Sequence, residues 1–260
     1  MTAATMSRRA IKSVGLLPGL ATPRRRGDIV LLLYHRIGVE DGEIGLPARA
    51  FERQMRTLAD DDRPLSLDRA IDGDDRGGVV VTVDDGYADF YENALPILVR
   101  TRVPAILYLA TGLVRNNGGP ADRLSWAQLA EAVATGLVTI GSHTHNHADL
   151  SRADEREAEV EMRRSKELIE DHLGTPCQHF AFPWAVASDA ARRASASLFR
   201  SSALPAWRTN RRGRIDRQSL GRTPVLRSDG HVFFRAKVRG MLDGEAFFYR
   251  IARRGPWRQR

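Results

Sequence analysis

The sequence has very little cysteine: Cys177 is the only one in 260 residues. A disulfide within the chain is therefore excluded, and the cysteine usage gives no sign of an oxidising compartment. We interpret Cys177 as a small buried apolar side chain, the usual role of a free cysteine. The sequence also lacks an uncharged apolar run of about 18 residues, the length that a membrane-spanning helix needs.

Lysine is scarce as well, so arginine supplies most of the formal net charge of +8. Lys12, Lys166 and Lys237 are the only lysines among 40 basic residues, and part of the arginine excess lies at residues 24–26 and 253–260. Such a charge suits an anionic partner. The sequence nevertheless lacks a basic recognition helix and a strand with interleaved aromatic residues, so no nucleic-acid partner is predicted.

The first 27 residues differ in composition from the rest of the chain. Basic residues there surround a short apolar stretch, residues 14–21, that glycine and proline interrupt. We interpret residues 1–27 as a flexible basic arm that could touch anionic lipid head groups, with a weak export signal as the alternative. The expected location is cytoplasmic or peripheral to a membrane.

From residue 28 onward, short apolar runs alternate with segments of helical periodicity. The runs are residues 29–35, 79–85, 103–110, 137–143, 179–184 and 222–227. This alternation is typical of βα units around a parallel sheet. We predict an α/β fold in which residues 28–260 form a single-domain TIM-like (β/α) barrel, distorted and with about seven strands. Residues 185–220 are rich in Arg, Ala and Ser, and strands are hard to place there.

Helical segments are predicted between these runs, at residues 51–58, 87–100, 125–136, 151–176 and 233–242. The clearest is 151–176, which has capping residues at Ser151 and Asp154 and a stop at Gly174 and Pro176. Ser125 is predicted to cap the helix before it.

Candidate functional side chains stand at the carboxyl ends of four predicted strands. They are His35, Asp84 with Asp85, His143, and Pro183 with Trp184. Because loops at this end of a parallel barrel assemble active sites, we expect these residues to share one rim.

Asp84 and Asp85 are adjacent carboxylates before Gly86, which allows a sharp turn. Neighbouring residues that leave a strand point in different directions, so one carboxylate could bind a metal while the other faces a water molecule. A plain DDG turn is the alternative for this stretch.

His143 and His147 are spaced H-x-x-x-H within SHTHNH. On a helical turn these positions share a face, so two neutral imidazoles and a carboxylate could hold one divalent ion. His145 lies between them and is expected to point elsewhere. A histidine-rich loop without metal is the alternative.

His35 ends the first predicted strand, and a core histidine with satisfied hydrogen bonds is a serious alternative for it. Its place at the same rim favours a proton donor to a leaving group.

These residues resemble the polysaccharide deacetylases of carbohydrate esterase family 4. TVDDGYADF is similar to the family's first motif, usually TFDDG, and SHTHNH followed by ADLS is similar to its second, H-[ST]-x-x-H followed by leucine. The resemblance runs from about Ile29 to about Val225, and the two motifs are specific in combination.

The resemblance implies a role for each matching residue. Asp84 would be the general base, and Asp85, His143 and His147 would ligate zinc or a similar divalent cation. YHRI is similar to the branch that deacetylates poly-N-acetylglucosamine, which makes His35 the general acid. No late L-x-H motif supplies another acid.

The third motif departs from the family pattern. FAFPW resembles FAYPYG, with Trp184 in the tyrosine position, and Ala181 stands where R-x-P-Y has its arginine. Arg222, in LGRTPV, resembles the branch's LPR segment and is our candidate to steady the base. Pro183, Trp184 and Tyr87 are expected to line the sugar groove, with rim packing as the alternative.

The resemblance implies a metal-dependent hydrolase that removes N-acetyl groups from an amino-sugar polysaccharide or glycolipid. The alternatives are a degenerate member that binds glycan without catalysis and an amide hydrolase that acts on a substrate other than a sugar.

Overall fold

The computed structural model describes residues 27–40, 42–60, 64–73, 76–115 and 118–241. Nearly all of the predicted basic arm, residues 1–26, lies outside the described residues, so the arm and its membrane contact stay predictions. Across the described ranges, no helix combines the length and apolarity that a bilayer crossing requires.

Seven parallel strands close into a barrel. They are β1 (Ile29–Tyr34), β4 (Gly78–Asp84), β5 (Ala105–Leu109), β6 (Val138–Ser142), β7 (His179–Ala181), β8 (Ser201–Leu204) and β9 (Leu220–Pro224). Each strand pairs with the next, and β9 returns to β1. A two-stranded sheet, β2 (Arg36–Ile37) with β3 (Gly45–Leu46), stands apart. The predicted α/β TIM-like barrel with about seven strands is confirmed.

Helices surround the barrel. They are α1 (Ala48–Asp60), α2 (Leu67–Ile71), α3 (Leu95–Thr101), α4 (Trp126–Ala134), α5 (Glu155–Leu173), α6 (Asp189–Leu198) and α7 (Gly230–Val238). A π-helical turn, Phe90–Ala94, leads into α3, and 3-10 turns cover Thr111–Leu113, Pro183–Ala185 and Arg227–Asp229. Ser125 caps α4 as predicted.

The strand side chains alternate between two apolar cores. Val30 and Leu32 of β1 belong to the outer core, which packs against the helices. Ile29 and Leu31 belong to the inner core inside the barrel, together with Tyr108. Because successive side chains of a strand face opposite sides, a strand buried on both faces needs an unbroken apolar run, and that is the pattern in β1.

The N-terminus of α5 differs from the sequence prediction. Asp154 is the N-cap, and its carboxylate accepts from the backbone N–H of Glu157 while the Glu157 side chain accepts from the N–H of Asp154. Ser151 lies outside the helix, where its N–H donates to the Asp149 carboxylate. A capping box has Glu or Gln three residues after the cap, and Asp154 has Glu157 there, whereas Ser151 has only the shorter Asp154.

Strands β8 and β9 also differ from the prediction. The sequence showed no strand at 201–204 because serines replace the expected apolar residues, and Ser201 Oγ instead lies 2.9 Å from His179 Nδ1 inside the barrel. The last strand was predicted at 222–227 but spans Leu220–Pro224. It begins earlier because its backbone pairs with β8 at Leu220 and Gly221.

A buried ion pair fastens α7 to the end of β9. Lys237 Nζ lies 2.8 Å from Asp229 Oδ2 and donates to the carbonyl of Pro224 at 2.7 Å, and both charged side chains are 0% exposed. Neither charge is exposed to solvent. Removing either one would therefore leave the other buried without an opposite charge, which destabilises the fold.

Replacing Lys237 with methionine is therefore expected to lower the free energy of unfolding by about 3–5 kcal/mol. Arg193→Met is the matched control, since the Arg193–Glu155 pair is 62% and 54% exposed and such pairs contribute at most about 1 kcal/mol. Urea unfolding of both variants tests this, and equal losses would contradict the assigned role of the buried pair.

Candidate active site and metal centre

A cavity of about 500 Å³ opens at the carboxyl ends of the barrel strands. The residues proposed from sequence that line it are His35, Asp84, Asp85, Tyr87, His143, His147 and Trp184. Arg222 is fully buried beneath the cavity, and Pro183 is buried and does not line it. The expected common rim therefore exists, although two of the proposed residues lie behind its surface.

Asp85, His143 and His147 meet at one side of this cavity. Asp85 Oδ1 lies 3.2 Å from His147 Nε2 and 3.6 Å from His143 Nε2. One potential ligand atom from each residue lies within 4.8 Å of the others. Residues from the ends of β4 and β6 thus present a carboxylate and two imidazoles to one point.

The two histidines reach this point from an irregular loop, and the helical turn expected for their spacing is absent from residues 143–147. Thr144 and His147 adopt left-handed backbone conformations, with φ of 66° and 54°. The Thr144 hydroxyl accepts from the Ala148 N–H at 3.0 Å, which holds the loop closed. The loop therefore brings the imidazoles together with their ring centroids 5.0 Å apart.

His143 is oriented through its second ring nitrogen. Its Nδ1 lies 2.7 Å from the carbonyl oxygen of Ala181, which can only accept, so Nδ1 carries the proton and Nε2 keeps a lone pair. Burial lowers the pKa of His143 to about 4, and Asp84 offsets this only in part. His143 is consequently a neutral imidazole near pH 7, the form that binds metals.

Asp85 supplies the negative charge of this group. Burial opposes its ionisation, but the imidazoles of His147, His35 and His143 outweigh burial and hold the pKa of Asp85 well below its usual range. Its Oδ1 is buried and makes no hydrogen bond within the described part of the chain. An ionised, buried oxygen beside the lone pair of His143 Nε2 fits a divalent cation, because acceptor atoms alone would repel one another.

Asp84 is held from below by Arg222 of β9. Arg222 Nη1 donates to Asp84 Oδ1 at 2.6 Å, and the two side chains are 0% and 3% exposed. The second carboxylate oxygen, Oδ2, lies 3.7 Å from His143 Nε2. The ion pair therefore fixes the carboxylate with one oxygen toward the candidate metal site.

His35 closes another side of the cavity at the end of β1. Burial lowers its pKa, while the carboxylates of Asp85 and Asp84 act in the opposite direction. The protonated form of His35 is therefore a stronger acid than an exposed imidazolium.

The sequence profile of the polysaccharide deacetylase family matches residues 72–199, which contain Asp84, Asp85, His143 and His147. About half of the chain is therefore similar to the polysaccharide deacetylase family. Among curated relatives, the YxkH protein of Bacillus subtilis is 27% identical over 160 residues, 59% of this chain and 55% of that protein. A poly-β-1,6-N-acetyl-D-glucosamine N-deacetylase of Staphylococcus aureus is 28% identical over 120 residues, 43% of this chain and 41% of that enzyme. The chain thus spans about half the length of the curated relatives it matches.

Solved structures of the family share the barrel. A Streptococcus pyogenes deacetylase, PplD in complex with acetate, matches with a TM-score of 0.75 and 24% identity, over 83% of this chain and 100% of that one. IcaB from Ammonifex degensii matches with a TM-score of 0.71 and 24% identity, over 86% and 98%. At these identities the likeness establishes the fold.

The aromatic residues at the cavity occupy distinct places. Trp184 is 51% exposed, its Nε1 donates to the carbonyl of His147 at 3.1 Å, and its ring packs edge-on against that imidazole. Two guanidinium groups contact the ring of Tyr87, with Arg36 4.3 Å and Arg123 3.8 Å from its centroid. Trp184 is therefore the aromatic surface most open to a ligand.

Sequence reasoning missed Arg36 and Arg123 as cavity residues. Arg36 follows the strand-end His35, so its position was a usable signal. Arg123 lies in a loop far along the chain from Asp85, and only the folded structure brings the two together.

Proposed function

We propose that this chain is a metal-dependent hydrolase that removes N-acetyl groups from a glycan containing amino sugars. The observation that carries the proposal is the meeting of Asp85, His143 and His147 beside Asp84 in one cavity. Similarity to the family and the name of the Staphylococcus aureus relative support N-acetylglucosamine as the sugar.

Asp85, His143 and His147 would hold the metal ion. Two imidazoles and one carboxylate make a three-ligand set of the kind found in catalytic zinc sites, so Zn²⁺ is the proposed ion. When bound, such an ion polarises an amide carbonyl and lowers the pKa of water.

Asp84 is the proposed general base. Its carboxylate lies in the cavity wall, and the Arg222 guanidinium holds one oxygen at 2.6 Å, which leaves the other directed toward His143. In this position Asp84 would take a proton from the attacking water molecule. Arg222 touches no reacting atom and acts by orienting Asp84.

His35 is the proposed general acid. Because burial lowers its pKa, its protonated form is a stronger acid than an exposed imidazolium and gives up a proton readily. That proton would go to the amine nitrogen as the C–N bond breaks and acetate leaves.

Trp184 and Tyr87 are the proposed sugar contacts. The exposed indole offers an apolar face on which a sugar ring can stack, and Tyr87 lines the same cavity. Pro183 is buried behind this surface, so its proposed contribution is confined to the backbone turn that presents Trp184.

Two other functions compete with this proposal. A member that binds glycan without catalysis would have no need for the base, the acid and the three ligand residues together, and all of them converge here. An amide hydrolase that acts on another substrate would use the same hydrolytic residues. It would differ in the part of the substrate that contacts Trp184.

Acetate release tests the proposal. Purified protein loaded with Zn²⁺ is expected to release acetate from N-acetylglucosamine oligomers, to lose at least roughly 90% of this activity with a chelator, and to recover it when Zn²⁺ is restored. Small non-sugar acetamides serve as the comparison substrates. Glycan binding without acetate release would favour the non-catalytic function, and preferential turnover of the acetamides would favour the amide hydrolase.

A further inference from the structure

We propose that Arg123 is a positioning residue that orients the Asp85 carboxylate toward the metal site. The inference rests on the proposed function, because it assigns Asp85 to a bound ion. Its basis is a hydrogen bond from Arg123 Nη1 to the backbone carbonyl of Asp85, 3.0 Å long.

The turn that carries Asp85 needs support. Asp85 and Gly86 both adopt left-handed conformations, with φ of 76° and 73°. Glycine accepts this conformation freely, whereas aspartate accepts it at an energetic cost. The backbone N–H of Asp85 donates to the Tyr108 carbonyl at 3.0 Å, and its own carbonyl accepts from Arg123. Both backbone polar groups of Asp85 are thus held by partners outside the turn.

The loop that carries Arg123 is itself paired with the turn. Leu124 N donates to Gly86 O at 2.9 Å, and Ala88 N donates to Asp122 O at 2.8 Å. Tyr87 and Arg123 form an antiparallel bridge between these hydrogen bonds. These hydrogen bonds therefore join the loop to the turn.

The Arg123 side chain also lies near the exposed carboxylate of Asp122, with its Nε 3.8 Å from Asp122 Oδ1. Its guanidinium lies 3.8 Å from the centroid of the Tyr87 ring, and its side chain is only 13% exposed. Within the described ranges its Nε is buried and makes no hydrogen bond. The position of the guanidinium is thus set by the stack on Tyr87 and by the Asp85 carbonyl.

Arg36 also stacks on the Tyr87 ring and offers a comparison within the same molecule. Its guanidinium lies 4.3 Å from the ring centroid, and its Nε donates to the Asp89 carboxylate at 2.8 Å. Both arginines contact the same ring, but Arg123 donates directly to the backbone of Asp85. This difference separates the effect of the hydrogen bond from that of the stack.

Loss of the Arg123 hydrogen bond should leave the Asp85 carboxylate in place but less well oriented toward the metal. Groups that orient metal ligands typically change metal affinity by about 10- to 100-fold when they are mutated. If Arg123 had a purely structural role, substituting it would change thermal stability and leave the affinity and geometry of the metal site as they were.

Titration with Co²⁺ tests the inference, because the visible absorption of bound Co²⁺ reports the ligand geometry. The variants are Arg123→Met, which removes the donor, Arg123→Lys, which keeps a cation near Tyr87, and Arg36→Met as the matched control. We expect Arg123→Met to bind Co²⁺ about 10- to 100-fold more weakly with an altered spectrum, and Arg36→Met to remain close to the unaltered protein. Thermal melting with chelator present checks that each variant is folded.

The outcomes separate the inference from the function on which it rests. If the unaltered protein binds no Co²⁺, the proposed metal site fails. If it binds Co²⁺ and Arg123→Met binds with the same affinity and spectrum, the role of Arg123 is overturned, as it is if Arg36→Met weakens binding equally. Should Arg123→Met fail to fold, Arg123→Lys decides by the same comparison, and the inference expects weaker binding and an altered spectrum there too.

Discussion

Replacing Asp84 with asparagine should abolish acetate release and leave zinc binding largely intact. An amide oxygen can still accept the hydrogen bond from Arg222, but it cannot take a proton from water near pH 7. The loss of a general base typically lowers turnover by about 10²- to 10⁴-fold. Because the proposed ligands Asp85, His143 and His147 are unchanged, zinc content should stay near that of the unaltered protein.

Asp28→Asn is the matched control for this experiment. The Asp28 side chain is 3% exposed, as the Asp84 side chain is, and it pairs with Arg211 at 2.9 Å. It precedes β1 at the opposite end of the barrel, away from the cavity. The control should retain turnover, so any loss specific to Asp84→Asn reports the chemistry. Full turnover by Asp84→Asn would show that another group is the base.

Replacing His143 with alanine should remove both zinc binding and acetate release. His143 Nε2 faces Asp85 and is one of the three proposed ligand atoms, so its removal leaves an incomplete set. Zinc affinity should fall by more than the roughly 100-fold upper range seen when only a ligand's orienting partner is lost. Metal analysis after dialysis and an acetate assay on the same sample measure the two effects together.

His145→Ala is the matched control for the histidine substitution. His145 lies in the same loop, but its Nδ1 is 2.9 Å from the Thr111 hydroxyl, outside the group of ligand atoms. This variant should therefore keep its zinc and its activity. Retention of zinc by His143→Ala, or equal loss in both variants, would contradict the ligand assignment.

The sequence predicted most of the barrel because several strands can be recognised from their amino-acid composition. Strands such as β1 and β4 are buried on both faces and therefore consist of unbroken apolar and β-branched residues. Strand β8 could not be predicted in this way. Its residues Ser201 and Ser202 are polar, and they are tolerated in the interior because they contact His179 and Gln218. Such contacts depend on neighbours that only the closed barrel supplies.

The candidate site was predicted in its residues and only partly in its geometry. Parallel strands end at one rim, so Asp85 and His143 were expected to meet, and the structure places them 3.6 Å apart. The loop conformation that turns His147 back toward Asp85 was not foreseen, since the spacing alone suggested a helical turn. Arg222 was suggested by resemblance, and its contact with Asp84 became visible only when β9 closed the barrel beside β1.

The contacts of Arg123 could not be predicted from the sequence. Tyr87 and Arg123 are separated by a helix and a strand, and the hydrogen bonds between their loops leave no periodic pattern in the chain. Contacts of this kind arise from how loops meet above the barrel.

The most direct test of the central claim is anomalous scattering at the zinc absorption edge from crystals grown with Zn²⁺. We predict one strong peak in the cavity, at about 2.0–2.3 Å from a carboxylate oxygen of Asp85 and from Nε2 of both His143 and His147. A cavity without such a peak, or an ion bound out of reach of any of these three residues, would contradict the assignment of the metal site and the hydrolytic function built on it.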